Sequence, residues 1–263
     1  MNVLNSVIRG VSSLTKPRAV PPFTLVFIHI PKTGGMSLRK VLLRELGGGE
    51  HFWIVDPVKD TTWLRTIPHD DRERMALVEG HMYYGMHELL PRPCVYMTML
   101  RNPLERVLSY YSHIRERTDH HLHEAARGLS LAECIRRGLT VELDNFMVRA
   151  MTSLANTGVP FGGVTREMLT EAKTHLDGVA FLGLSERFDE SLARFREMLG
   201  WRGKDVPRVN VTKSRLRAEE LSESDLALVR EANAFDQELY DHATRLYESR
   251  LREPGRFRPG LLT

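Results

Sequence analysis

Residue types that grip anions or move protons gather at three places in this chain. In PKTGGMS, Lys32 brings a charge, Thr33 and Ser37 bring hydroxyls, and Gly34 and Gly35 let an anion approach the backbone closely. A helical pattern opens at Met36, so the unpaired N–H groups of a first helical turn and the positive end of its dipole face the same point. Lys32, Thr33, Gly34, Gly35, Met36 and Ser37 together read as a cradle for a phosphate or sulfate ester. In RNPLERVLSYYS, Arg101 is followed eight residues later by Ser109. A guanidinium can hold phosphate through paired charge-assisted bonds, and a serine further along the same helix adds a directional donor. Between the two lies VEGHMYYGMHE, where His81 has the near-neutral pKa of a general base. Glu79 is the competing base, turned by strand alternation to the opposite face from its neighbours, and His87 is a weaker third. Each group also has a plainer reading: a strand-to-helix turn closed by glycines, a solvated arginine at a strand end, a histidine capping a strand.

The elements that would position these residues follow from apolar periodicity. Leu25 to Ile30 and Cys94 to Leu100 are buried-strand runs, each broken by a proline-containing turn. Helical spacing follows both: Met36, Leu38, Val41, Leu42 and Leu43 after the first, and Leu104, Val107, Leu108, Tyr111 and Ile114 after the second, with Pro103 suited to a first helical position. Ala76 to Glu79 is a short apolar run, and Arg72 to Ala76 is read as helical. The stretch from Gly47 to about Pro68 reads as an irregular connection. Leu129 to Arg137, Val141 to Leu154, Thr165 to Leu176 and Asp189 to Leu199 read as helices and Val179 to Leu184 as a strand. Val206 to Val211 reads as a short strand or extended loop, and Ser222 to about Ser249 as one long or two short helices. Strands alternating with helices predict an α/β fold, a mostly parallel central sheet flanked by helices in a P-loop-like nucleotide-binding architecture. Its ligand crevice lies at the carboxyl ends of the strands, where both anion motifs sit. One domain over residues 23–251 is expected, with an N-terminal extension over 1–22 and a loose tail over 252–263.

The nucleoside-triphosphate loop needs its lysine after the last glycine, beside a magnesium-binding hydroxyl. Here the lysine precedes the glycines. PKTGG followed by a helix, with Ser37 two residues on, resembles instead the 5′-phosphosulfate loop of sulfotransferases that use 3′-phosphoadenosine-5′-phosphosulfate (PAPS), in their carbohydrate branch. The strand, Arg101-Asn102-Pro103 and helix with Ser109 resemble that family's 3′-phosphate site. In the heparan-type 2-O-sulfotransferases, which the chain resembles, a Gly-His pair before the second strand motif carries the base, here Gly80-His81. The resemblance implies that Lys32 binds the phosphosulfate and stabilises the leaving phosphate, and that no metal takes part. It further implies that Lys213 and Ser214 close over the nucleotide, with Ser185 and Arg187 near its sugar or base, and that the helix bearing Asn145 and Arg149 faces the acceptor. Arg149 could equally pair with a neighbouring carboxylate. Tyr83 and Tyr84, next to the proposed base, could offer a flat surface to a sugar or be core packing. The function implied is sulfuryl transfer from PAPS to a hydroxyl of a saccharide or glycoconjugate. A P-loop-like nucleotide kinase or ATPase and a non-catalytic nucleotide-binding module are the alternatives.

Composition sets outer bounds. The chain has 263 residues, 42% hydrophobic and 27% charged, with a formal net charge of +3, too small to imply a nucleic-acid binder. No run approaches the length of a membrane span. The apolar positions of residues 1–22 are broken by Asn5, Ser6 and Arg9, which argues against a secretory signal and, with the resemblance, points to a cytoplasmic protein of bacterial origin or to a trimmed piece of a longer chain. A short amphipathic helix resting on a membrane surface is the other expectation for that segment. Cys94 and Cys134 read as buried thiols. His120, His121 and His123 lack a supporting cysteine or carboxylate at ligand spacing and read as a solvated loop.

Overall fold

Five short strands form one sheet in the computed structural model, which describes residues 21–46, 50–200 and 216–252. The strands are β1 (Thr24–Ile28), β2 (Glu50–Ile54), β3 (Met75–Gly80), β4 (Cys94–Leu100) and β5 (Phe181–Leu184). All pair in parallel, in the order β2-β3-β1-β4-β5. The helices are α1 (Gly35–Glu45), α2 (Lys59–Thr66), α3 (His69–Glu73), α4 (Pro103–Glu116), α5 (His123–Ala126), α6 (Leu131–Arg136), α7 (Phe146–Met151), α8 (Arg166–Gly178), α9 (Phe188–Met198), α10 (Glu223–Ala232) and α11 (Ala234–Arg252). This is the α/β architecture expected. Among the described residues no helix is long and apolar enough to cross a membrane.

Strand alternation divides the core into two layers. On one face Leu25, Phe27, Leu77, Val95 and Met97 pack against Leu38, Val41 and Leu42 of α1 and Leu192 and Phe195 of α9. On the other, Val26, Ile28, Val78 and Tyr96 pack against α7, α8 and the buried side of α11. A third cluster joins α4 to α6 and α10 through Val107, Leu108, Tyr111, Leu131, Cys134 and Val229. With both faces covered, the central strands are mostly apolar, with Thr24, Glu79 and Thr98 as their buried polar residues.

Helix starts obey local rules. Asn102 caps α4, its side-chain oxygen accepting from Glu105 N at 3.2 Å, with Pro103 at the first helical position. Thr165 and Ser222 cap α8 and α10. Three expectations need correction. The connection predicted from Gly47 to Pro68 holds edge strand β2 and helix α2; EHFWI is too short and too mixed to stand out by pattern. Arg72 to Ala76 is not a helix, because α3 ends at Glu73 and β3 begins at Met75. Val141 to Leu154 is not one helix either: a 3-10 turn covers Val141–Leu143, Asn145 adopts left-handed backbone at φ 45, and α7 covers Phe146–Met151. Val206 to Val211, Lys213, Ser214 and the termini lie outside the described residues.

Candidate active site

The strand order creates the crevice. From β1 the chain leaves toward β2 and β3, and from β4 it leaves toward β5, so the neighbours β1 and β4 send their connections to opposite sides of the sheet. A ligand site forms at the carboxyl ends of such a pair. Lys32 follows β1 and Arg101 follows β4, and the two touch: Arg101 Nη1 donates to the Lys32 carbonyl oxygen at 2.9 Å. Motifs far apart in sequence thereby share one bond. Arg101 Nη2 also lies 3.6 Å from Glu105.

The loop after β1 is tightly fixed. Thr33 Oγ1 donates to Ile30 O at 2.8 Å, and Ser185 Oγ donates to Thr33 O. Lys32 itself sits at φ 69, a left-handed conformation that costs a side-chain-bearing residue on the order of 1–3 kcal/mol and collects at ligand sites. Helix α1 then starts at Gly35, and its first N–H groups have no carbonyl one turn earlier within the helix. Gly34 and Met36 are exposed, while Thr33 and Ser37 are buried beneath them. Ser109, two turns into α4, is buried. Donors, a lysine and an arginine around one strand-end crevice form a set suited to an anion with two charged ends.

Below the loop lies His29. A Cβ on Gly35 would fall 2.0 Å from its ring, so only glycine lets α1 begin this close. His29 is buried, stacked on Phe27 at 5.5 Å, with its ring 5.3 Å from that of His81. Burial, then His81, Arg39 and Lys32, press its pKa down to about 3, so it is neutral at any ordinary pH. In the sequence His29 is marked only by its place in FIHIPKTGG, directly ahead of the loop.

His81 is placed by Gly80. That glycine has φ 132, and a Cβ on it would lie 2.0 Å from Ile54 O. Gly80 O accepts from His29 N, and His81 N donates to Ile54 O, both at 2.9 Å, so the end of β3 is held from each side. The His81 ring meets Trp53 edge-on at 6.2 Å. It is partly exposed, yet enclosed enough that burial lowers its pKa, with Glu142 acting in the opposite sense. A neutral imidazole at a strand end can accept a proton from a hydroxyl. Glu79 is fully buried, with Arg39 Nε 2.9 Å from its carboxylate, and Arg39 covers Trp53 at 4.2 Å. Burial raises Glu79 to about 7 against the pull of Arg39. It faces α1 rather than the crevice. His87 is used elsewhere, its Nδ1 2.9 Å from Tyr96 Oη.

The acceptor-side residues need the clearest correction. Arg149 is fully buried: it pairs with Asp144, and it donates to Asp144 O at 2.8 Å, Val159 O at 2.6 Å and Pro160 O at 2.7 Å. Asn145 donates to Asp144 Oδ1 at 2.9 Å and accepts from Asp236 N at 2.9 Å. Both tie α7 to its surroundings and present no group to an acceptor. Tyr83 is buried with Oη 3.5 Å from Thr157 O. Tyr84 is buried between His175, at 3.9 Å, and Tyr96, at 4.3 Å, with no face left for a sugar. Arg187 pairs with Glu190 and Glu248 and stacks over Tyr247. One histidine of α4 was not singled out by the sequence. His113, on α4 one turn past Ser109, has its pKa lowered to about 4 by burial and then by Lys32 and His120.

Residues 19–249 match the model of the Sulfotransferase family. Heparan-sulfate 6-O-sulfotransferase 1 of Homo sapiens is 25% identical over 271 residues, which cover 86% of this chain and 66% of that protein. Heparan-sulfate 6-O-sulfotransferase 2 of Gallus gallus is 24% identical over 278 residues, with 86% and 67% covered. The chain spans about two thirds of the length of these curated relatives. A mouse sulfotransferase solved as a complex with PAP aligns over 82% of this chain and 66% of its own at 15% identity, with a TM-score of 0.34.

Proposed function

We propose, from the premise that the chain belongs to the sulfotransferase family, that it transfers the sulfuryl group of PAPS to a hydroxyl of a saccharide or glycoconjugate. PAPS supplies an activated sulfuryl group on a phosphate leaving group. The acceptor oxygen bonds to sulfur, the bridging S–O bond breaks with its electron pair passing to the phosphate, and the acceptor proton passes to His81. Lys32 and the start of α1 hold the 5′ end and offset the charge that develops on the departing phosphate. Arg101 and Ser109 hold the 3′-phosphate, and Lys213 and Ser214 close over the nucleotide. The loop and Lys32 supply the positive charge that metal would otherwise bring, so the reading needs no metal.

The observation that carries this reading is the bond from Arg101 to the Lys32 carbonyl, which joins the two motifs across the β1–β4 crevice and supports a donor held at both ends. A saccharide acceptor is supported by the heparan-sulfate names of the relatives. Those relatives are named for 6-O transfer, whereas the Gly80-His81 pair resembles the 2-O branch. The cytoplasmic and bacterial setting belongs to the same proposal, and fractionation of the native source checks it. Incubation with radiolabelled PAPS and desulfated heparan, other saccharides, lipids and small alcohols, followed by mapping of the sulfated position, tests both donor and acceptor. Transfer to a sugar hydroxyl is expected. Preference for ATP with magnesium would replace the reading by a kinase, and tight binding of PAP with no transfer to any acceptor would replace it by a binding module.

A further inference from the structure

The sheet register sets His29 across from His81. Ile28 pairs with Gly80 in the β1–β3 ladder, so the next residues along the two chains are His29 and His81. Their backbones are tied at that point, because His29 N donates to Gly80 O at 2.9 Å. The two rings lie 5.3 Å apart, centroid to centroid, at a tilt of 45°. That spacing suits an N–H···N bond of about 3 Å between imidazoles. The His29 ring is also hemmed in. Phe27 stacks on it at 5.5 Å, Trp53 stands 5.9 Å away, and a Cβ on Gly35 would strike its Cδ2 and Nε2 at 2.0 and 2.4 Å.

One atom of this ring is unused. His29 exposes 5% of its surface, and among the described residues its Nδ1 has no hydrogen-bond partner. Buried polar atoms are ordinarily bonded, so this one calls for an explanation. The Cδ2–Nε2 edge faces the start of α1, which leaves Nδ1 on the side of the ring turned away from that helix. His81 lacks a partner of its own. A histidine base is ordinarily oriented by a third group, yet among the described residues no side chain hydrogen-bonds to its ring. The charged and titratable groups around the pair divide by element. Arg39 of α1 and Lys32 of the loop act on His29, and Arg39 is paired with Glu79 of β3. Glu142 of the 3-10 turn acts on His81. His29 stays neutral among these groups, so with its proton on Nε2 it can accept a hydrogen bond at Nδ1.

We propose that His29 is the positioning residue of His81, its Nδ1 accepting a hydrogen bond from the imidazolium that forms as the acceptor proton arrives. This rests on His81 being the base. His81 takes the acceptor proton on one ring nitrogen while the N–H on the other points to His29. The proton stays on His81 until that partly exposed ring returns it to solvent. Because the bond favours the protonated ring, removing it in His29→Phe lowers the His81 pKa and moves the acid limb of the kcat/KM profile to lower pH. The shift is roughly half a pH unit or more, and the plateau falls about tenfold. His29→Asn, whose side-chain oxygen can stand near the place of Nδ1, recovers part of both. A ring that served only as packing would be replaced by phenylalanine without moving the limb.

The experiment pairs an NMR titration of protein labelled with 15N-histidine with pH–rate profiles of the parent, His29→Phe and His29→Asn. His81 and His29 are identified by the resonances lost in His81→Asn and His29→Asn, and thermal stabilisation by PAP serves as the folding control. In the parent, His29 is expected to keep its proton on Nε2 throughout, and its Nδ1 signal to move as His81 titrates. In His29→Phe the His81 titration and the acid limb should shift down together, and in His29→Asn by less. A His29 protonated on Nδ1, or an Nδ1 signal that stays constant while His81 titrates, overturns the role of His29 and leaves the base assignment standing if His81→Asn is inactive. An active His81→Asn, or a shifted His81 titration with an unmoved limb in His29→Phe, overturns His81 as the base and the proposed role of His29 with it. If His29→Phe fails the folding control, the Nδ1 signal of the parent decides, since it requires no variant at the base or its partner to fold in place of the native chain.

Discussion

Two buried groups beside His81 titrate in opposite senses. His29 is held far below the ordinary imidazole value, and Glu79 is raised to about 7. A carboxyl with a raised folded-state pKa contributes stability while protonated, and that contribution is lost as pH rises from the ordinary carboxylate range through about 7. A depressed histidine does the reverse, costing stability as pH falls below its ordinary value. Glu79→Gln should therefore flatten the decline in melting temperature between about pH 5 and 7.5. Melting curves over a pH series check this, and parallel curves for parent and variant would refute it. Turnover should survive the same change, whereas His81→Ala should lose about a hundredfold or more at unchanged PAP affinity. If Glu79→Gln abolishes transfer and His81→Ala does not, the base is misassigned. Residue types were the legible part here: Lys32, Arg101, Ser109 and His81 were each visible from chemistry and spacing. What no spacing could show was Arg39 paired with Glu79, because these two meet only through the fold.

Elements were legible where the pattern was long or capped. Cys94–Leu100 and the Pro103 start of α4 emerged with their observed bounds, since a seven-residue apolar run and a proline at the first helical turn leave little choice. The segment from Val141 was misread because its apolar residues fit a helix. Asp144, Asn145 and Arg149 instead spend their polar groups on backbone partners, and the left-handed Asn145 breaks the helix. Arg149 is accordingly a structural residue. Arg149→Ala leaves Asp144 buried without its charge partner and should destabilise the fold by about 3–5 kcal/mol, read by urea denaturation. The acceptor KM of whatever protein remains folded should stay at the parent value. A stable Arg149→Ala variant with a raised acceptor KM would return this arginine to the acceptor site. Gly80→Ala should also be severely destabilising, because a Cβ there meets the Ile54 carbonyl in a backbone conformation that favours glycine.

At the scale of the whole molecule, the parallel sheet and the crevice at its strand ends followed from alternating strands and helices. The strand order did not, since nothing local in EHFWI announces an edge strand. That order is what makes β1 and β4 neighbours, and it predicts that nucleotide binding is felt by the entire sheet. Adenosine 3′,5′-bisphosphate should raise the melting temperature without magnesium, and ADP or ATP should do so far less. Arg101→Ala should weaken bisphosphate binding by on the order of 2–4 kcal/mol, measured by calorimetry. The bond from Arg101 to the Lys32 carbonyl has one more consequence, for how the ends of a donor inform each other. Under the proposed function, a single guanidinium would serve both the 3′-phosphate and the backbone of the Lys32 loop, making occupancy of one end a condition for the geometry of the other, a coupling that linkage requires to be reciprocal. A donor stripped of its 3′-phosphate should then lose turnover as well as affinity, the second site behaving as a permissive switch rather than a handle.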